Sequence, residues 1–147
     1  KIDLIVRGIC CLRVGIPGVS ENITVRSIVG NFLEHSRIFY FLHDGAPEIY
    51  MGSADWMQRN LDRRVEIVFP ILDEELKAKA LHILEVELED NVKARIMQKD
   101  GTYAKCDRRG KESVNSQDVF CKEAMEAVAK TEEKQTARVF IPAEPVE

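Results

Sequence analysis

Apolar residues follow two rhythms along the chain. Short β-branched or aromatic runs bounded by Gly, Pro, Asn or Asp read as strands. They are Ile2–Val6, Ile23–Val29 (interrupted by Arg26), Arg37–Leu42, Glu48–Met51 and Arg64–Phe69, the last stopped by Pro70. His43-Asp44-Gly45-Ala46-Pro47 predicts a hairpin turn between the third and fourth of these. Gly52-Ser53-Ala54-Asp55 predicts a tight turn into a short helix near Trp56–Asn60. The helical rhythm starts at Asp73, a predicted N-cap followed by Glu74 and Glu75, and runs to about Leu88. Leu76, Ala80, Leu84 and Leu88 recur every four residues and mark its buried face. Val92–Met97 and Tyr103–Cys106 flank Asp100-Gly101 as a second hairpin, and Ser116 caps a last helix over Asp118–Ala129. Ile9–Asn22 reads as loop, and Thr131–Glu147, charged and aperiodic, as a disordered tail. Strands alternating with helices predict an α/β domain, a mixed β-sheet flanked by α-helices. The aromatic strand is expected within that sheet, with the 74–88 helix on one face.

Composition adds limits. The 147 residues fit one domain with its own core, and 45% hydrophobic with 31% charged residues is the balance of a soluble globular protein. No apolar run is long enough to span a membrane, and no basic-then-apolar leader is visible. Lys1 opens almost directly onto a strand, so the chain reads as a fragment of a longer protein. Cys10, Cys11, Cys106 and Cys121 form no Cys-x-x-Cys pair and have no His at zinc spacing, which reads as reduced thiols in a cytoplasmic protein. A net charge of −4 argues against general nucleic-acid binding. Its distribution says more. Residues 1–70 carry Lys1 and seven arginines, whereas only four of the remaining 13 cations are Arg. Arg grips phosphate or carboxylate through a planar fork, so this half suits an oxyanion site.

Three features there bear candidate chemistry: Arg7-Gly8 after a strand, His35-Ser36-Arg37 entering one, and Gly52-Ser53-Ala54-Asp55 after the hairpin. In an extended segment His35 and Arg37 point to one face, placing a titratable ring beside a fixed cation. The pair suits phosphoryl oxygens together with proton transfer or nucleophilic attack on phosphorus. The small residues of the Gly-Ser turn let backbone N–H groups approach an anion. Each piece alone also fits a plain structural role: a solvated arginine, a hydrogen-bonded histidine, an ordinary turn. His82 is expected to be structural, His43 exposed, and Trp56 a core anchor. No phosphate-binding Walker loop or paired-carboxylate metal motif is present.

At these same residues the chain resembles a known family. Ile5-Val6-Arg7-Gly8-Ile9-Cys10, Ser20-Glu21-Asn22-Ile23, Ser27-Ile28-Val29-Gly30, Phe32-Leu33-Glu34-His35-Ser36-Arg37-Ile38 and Ser53-Ala54-Asp55-Trp56-Met57 with Arg59-Asn60 are similar to the C-terminal domain of the type-1 polyphosphate kinases. The likeness continues through Arg64-Val65-Glu66, Pro70, Leu72-Asp73, Lys93-Ala94-Arg95 and Asp100-Gly101-x-Tyr103. The resemblance implies a phospholipase D-like domain over residues 1–130, with 131–147 as the tail. It implies an enzyme that reversibly transfers the terminal phosphate of ATP to inorganic polyphosphate with Mg²⁺. The phosphorylated histidine would lie in the preceding domain, so the isolated fragment is expected to be inactive. Arg7 and His35 fall on the family's ATP-contacting positions. His35 is expected to be catalytic, and Arg7, His35, Arg37, Ser53 and Asp55 to bind ATP or phosphate, with no metal ligand among them. His35-x-Arg37 and Gly52-Ser53-x-Asp55 depart from the phospholipase D pattern by Arg for Lys and Asp for Asn, which speaks against phosphodiesterase activity. Asn31 and Val14 stand where basic and proline residues are expected. Implied partners are ATP or ADP, polyphosphate, upstream domains of the same chain and further copies in a homo-oligomer. Two alternatives stay open: a homodimeric phospholipase D-like phosphodiesterase, and a non-catalytic nucleotide- or polyphosphate-binding module.

Overall fold

The computed structural model describes residues 1–132. Of the expected tail, Thr131 and Glu132 close the last helix, and 133–147 lie outside the described residues. The chain is mixed α/β, with its strands divided between two sheets. The first takes β1 (Ile2–Ile5), β2 (Ile23–Ile28), β6 (Ala94–Met97) and β7 (Tyr103–Lys105), in the order β1-β2-β6-β7. It is mixed: β1 pairs parallel with β2 at Ile5↔Arg26, and β2–β6 and β6–β7 are antiparallel. The second is wholly antiparallel, β3 (Ile38–Phe41), β4 (Glu48–Gly52) and β5 (Val68–Pro70), in that order. The aromatic strand therefore sits in an antiparallel sheet of its own. Pro70, expected to stop β5, is its last residue; an edge strand tolerates the missing N–H.

Each sheet has its own apolar cluster. Val14, Val25 and Met97 are buried in the first, with Leu4, Val6, Cys10 and Ile23 against them. Ile49, Ile71 and Ala80 are buried in the second, with Ile38, Met51 and Leu81. The helix α2 (Glu74–Glu89) supplies Ala80 and Leu81 and so covers the second sheet, as expected. Asp73 caps it, accepting from Leu76 N at 2.9 Å. The four-residue rule fails at its start, where Leu76 is exposed. Strict i+4 spacing drifts around a helix of 3.6 residues per turn, so the buried stripe slides to Ala80, Val86 and Glu87.

A short helix α1 (Gln58–Arg63) follows Trp56, and α3 (Ser116–Glu132) closes the described chain. His82 on α2 meets Glu123 on α3 at 2.8 Å, a structural link. The 43–45 turn has His43 and Asp44 at positive φ, with His43 exposed beside Glu48. The loop 9–22 is held by buried Ser20, whose hydroxyl donates to Arg13 O at 2.6 Å and accepts from Ile16 N at 3.1 Å.

Candidate functional site

The β3–β4 hairpin builds most of the site. Arg37 immediately precedes β3 and Asp55 lies just after β4, so antiparallel pairing returns one to the other. Arg37 O accepts from Gly52 N at 3.0 Å, which fixes the register. The Arg37 guanidinium donates to Asp55 Oδ1 from Nη2 at 2.8 Å and from Nε at 3.1 Å. The Asp55 carbonyl accepts from Met57 N at 2.7 Å and Asn60 Nδ2 at 3.0 Å, so the carboxylate stands on a fixed turn.

Arg37 Nη2 also lies 3.4 Å from His35 Nδ1. A guanidinium only donates, so Nδ1 is the acceptor and the neutral ring carries its proton on Nε2. His35 is exposed. The row Asp55–Arg37–His35 thus sets an accessible imidazole beside a guanidinium that is itself held in place. Pairing with Asp55 engages Nε and Nη2 of Arg37 and leaves Nη1 without a partner among the described residues.

The Gly-Ser turn is used differently from expectation. Ser53 N donates to Ile67 O at 3.0 Å, and Ser53 Oγ accepts from Ile67 N at 3.0 Å and donates to Glu66. With Gly52 N also bonded, both expected anion donors of this turn serve pairing between segments. Ser53 therefore holds the turn before Asp55. Beside it, Phe39 and Trp56 stack with centroids 5.5 Å apart over a cleft of about 280 Å³ also lined by Arg64 and Asn60. Trp56 remains 75% exposed, so it is a cleft wall rather than the expected core anchor.

Arg7 stands elsewhere, past the end of β1 in the mixed sheet, and is exposed. Gly8 follows at φ +109, a conformation that favours glycine and turns the chain sharply out of the strand. The Arg7 side chain has no hydrogen bond or ion pair among the described residues, and none joins it to His35. Topology nevertheless relates the two. Because β1 and β2 are parallel, Arg7 leaves the same sheet edge from which residues 29–37 depart toward His35. Ligands of parallel strands gather at that C-terminal edge.

Three buried polar groups behind this segment escaped the sequence reading, which assigns polar residues to the surface. Asp90, 1% exposed, accepts through Oδ1 from the N–H groups of Val92, Lys93 and Ala94, and through Oδ2 from Ser116 N and Oγ. Burial alone would raise its pKa, but these bonds outweigh burial and the net shift is downward. Gln117, 5% exposed, binds the segment ahead of His35. Glu87, 6% exposed, has its pKa raised to about 7 by burial, then by the charges of Glu34 and Asp90. The only local signal was an Asp closing one helix and a Ser opening the next.

Among the described residues no group of three or more His, Cys, Asp or Glu could hold a metal ion, and no helix is long and apolar enough to cross a membrane.

Known proteins resemble this chain in sequence and in fold. The sequence model of the family described as polyphosphate kinase C-terminal domain 2 matches residues 1–117. A polyphosphate kinase of Lactiplantibacillus plantarum is 53% identical over 146 residues, covering 97% of this chain and 20% of that protein. One from Bacillus anthracis is 59% identical over 117 residues, 80% of this chain and 17% of the relative. The crystal structure of polyphosphate kinase from Porphyromonas gingivalis superposes with a TM-score of 0.80 at 38% identity, covering 88% of this chain and 20% of that one. The chain thus spans about a fifth of the length of these relatives.

Proposed function

Because the chain belongs to the polyphosphate kinase family, in the part described as its C-terminal domain 2, we propose that it is one half of the active site of an enzyme that reversibly transfers the terminal phosphate of ATP to inorganic polyphosphate. The observation that carries this reading is the exposed His35 held by Arg37, itself held by Asp55, at the end of the segment that leaves the Arg7 edge.

Phosphoryl transfer demands positioning and charge neutralisation more than covalent work from the protein. In the forward reaction the bond between the γ-phosphorus and the bridging oxygen breaks. A bond to a nucleophilic histidine, expected in the preceding domain, forms. The phosphoryl group then passes to the terminal oxygen of polyphosphate. Arg7 neutralises phosphoryl oxygens with a guanidinium that has no partner among the described residues. His35, neutral with its proton on Nε2, stabilises the leaving side by donating a hydrogen bond, without transferring the proton, to the oxygen that becomes part of ADP. Arg37 holds that tautomer, and its free Nη1 can reach a further phosphate oxygen. Mg²⁺ would supply charge neutralisation at the phosphates. It is commonly held largely by phosphate oxygens and water, and no group of three or more His, Cys, Asp or Glu among the described residues could cage it.

The test is His35→Gln in the polyphosphate kinase chain that contains this domain. Gln keeps an N–H donor but loses the ring geometry that Arg37 holds through Nδ1. Turnover should fall roughly 10–100-fold, the scale of misplacing a group at the reacting centre by about 1 Å. Near-parental turnover refutes the role of the held ring.

A further inference from the structure

We infer that Gln117 is the positioning residue that fixes His35, acting from α3 through the segment 30–34; the inference rests on the proposed role of His35. The Gln117 amide treats Phe32 as a neighbouring strand would. Its Oε1 accepts from Phe32 N at 3.1 Å, and its Nε2 donates to Phe32 O at 2.8 Å and to Glu34 Oε1 at 2.7 Å. Three bonds from one buried side chain therefore end on Phe32 and Glu34, the stretch that leads into His35 from its N-terminal side. Phe32 itself is 58% exposed, so no apolar packing replaces that hold.

Gln117 is in turn fixed from behind. It occupies the first turn of α3, whose first residue, Ser116, donates twice to Asp90 Oδ2 at 2.8 Å. Asp90 also closes α2 and gathers the backbone leading into β6. The path from that buried carboxylate to the imidazole is short: Asp90, Ser116, Gln117, Phe32 and Glu34, then His35.

Gly30 supplies a second, independent observation. A Cβ at this position would overlap Gln117 Oε1 and lie 2.7 Å from Cδ. The backbone here does not require glycine for its φ; the Gln117 amide requires the space. A larger residue at position 30 therefore expels the amide, and removing the amide restores the room.

The experiment uses the polyphosphate kinase chain that contains this domain. Gln117→Met keeps the length and apolar stem of the side chain and deletes all three bonds. Turnover should fall roughly 10–100-fold, the scale of misplacing a reacting group by about 1 Å, with KM for ATP moving less than kcat. Hydrogen exchange at the Phe32 amide should quicken. Gly30→Ala should reproduce the loss alone and add nothing in a Gln117→Ala background. In a His35→Gln background, Gln117→Met should lower kcat no further, because its effect passes through the imidazole. Unchanged exchange at Phe32, additive losses from Gly30→Ala and Gln117→Ala, or an undiminished loss in the His35→Gln background each overturn the inference. Should His35→Gln alone leave turnover unchanged, the proposed role of His35 falls. The exchange and Gly30 measurements would still decide whether Gln117 holds the segment.

Discussion

Replacing Glu87 by Gln should stabilise this domain at pH 8 and leave it nearly unchanged at pH 4.5. Glu87 is 6% exposed on α2, faces the charges of Glu34 and Asp90, and has its pKa raised from 4.5 to about 7. The folded chain holds this proton more tightly than the unfolded chain. Its contribution to stability is therefore full below about pH 4.5 and is lost as pH rises through about 7. A rise of about 2.5 pH units corresponds to about 3 kcal/mol of penalty for the ionised carboxylate above pH 7. Gln keeps the shape and removes the charge, so the variant should gain up to about 3 kcal/mol at pH 8, on the order of 10 °C in Tm. Carboxylates whose pKa is lowered, such as Asp3, move with pH in the opposite sense but are common to both chains and cancel in the difference. The assay is urea unfolding across pH 4.5–8, followed by helical circular dichroism and by the single tryptophan, Trp56. A variant no more stable than its parent at pH 8, or one whose advantage is the same at pH 4.5, would refute the argument.

Other substitutions separate the arginines. Arg7→Lys keeps the charge and loses the fork, so phosphotransfer by the full chain should be impaired but less than in Arg7→Ala; equal losses in steady-state rates would contradict the fork. Arg37→Lys breaks the double contact with Asp55 and the approach to His35, so turnover should drop about tenfold or more while urea stability changes by less than about 1 kcal/mol. A stability loss matching the activity loss would make the pair purely structural.

Local pairing was legible in the sequence; distant pairing was not. The β3–β4 hairpin announced itself through an aromatic strand and His43-Asp44-Gly45, and α2 through Asp73 with two acidic residues behind it. The split into two sheets was hidden because β2 pairs with β6, a partner on the far side of the whole second sheet and α2 in sequence. The site divided along the same line. Two-residue alternation sufficed to associate His35 with Arg37, whereas the bond from Arg37 to Asp55, made across one hairpin, was visible only in the structure. Gly52-Ser53 looked like an anion cradle because its residues are small, but the same smallness fits the close pairing with residues 66–67. Gln117, Asp90 and Glu87 were invisible for a different reason. Polar side chains are usually exposed, and only long-range packing marks the exceptions.

The two arginines nearest the proposed chemistry differ in a way that supports distinct proposed roles. Arg37 is three-quarters buried and gives Nε and Nη2 to Asp55, so half of its fork is already neutralised by the protein. On the proposed reading it holds the imidazole, whose Nδ1 lies 3.4 Å from Arg37 Nη2. Arg7 is exposed, with no partner among the described residues, and follows a strand end where Gly8 turns the chain away. On the proposed reading, an incoming phosphoryl group would meet that guanidinium with no partner to displace among the described residues. A site that must release as well as bind phosphate needs this asymmetry. In the proposed enzyme the fixed cation would preserve geometry through each turnover, while the exposed one would exchange solvent for substrate.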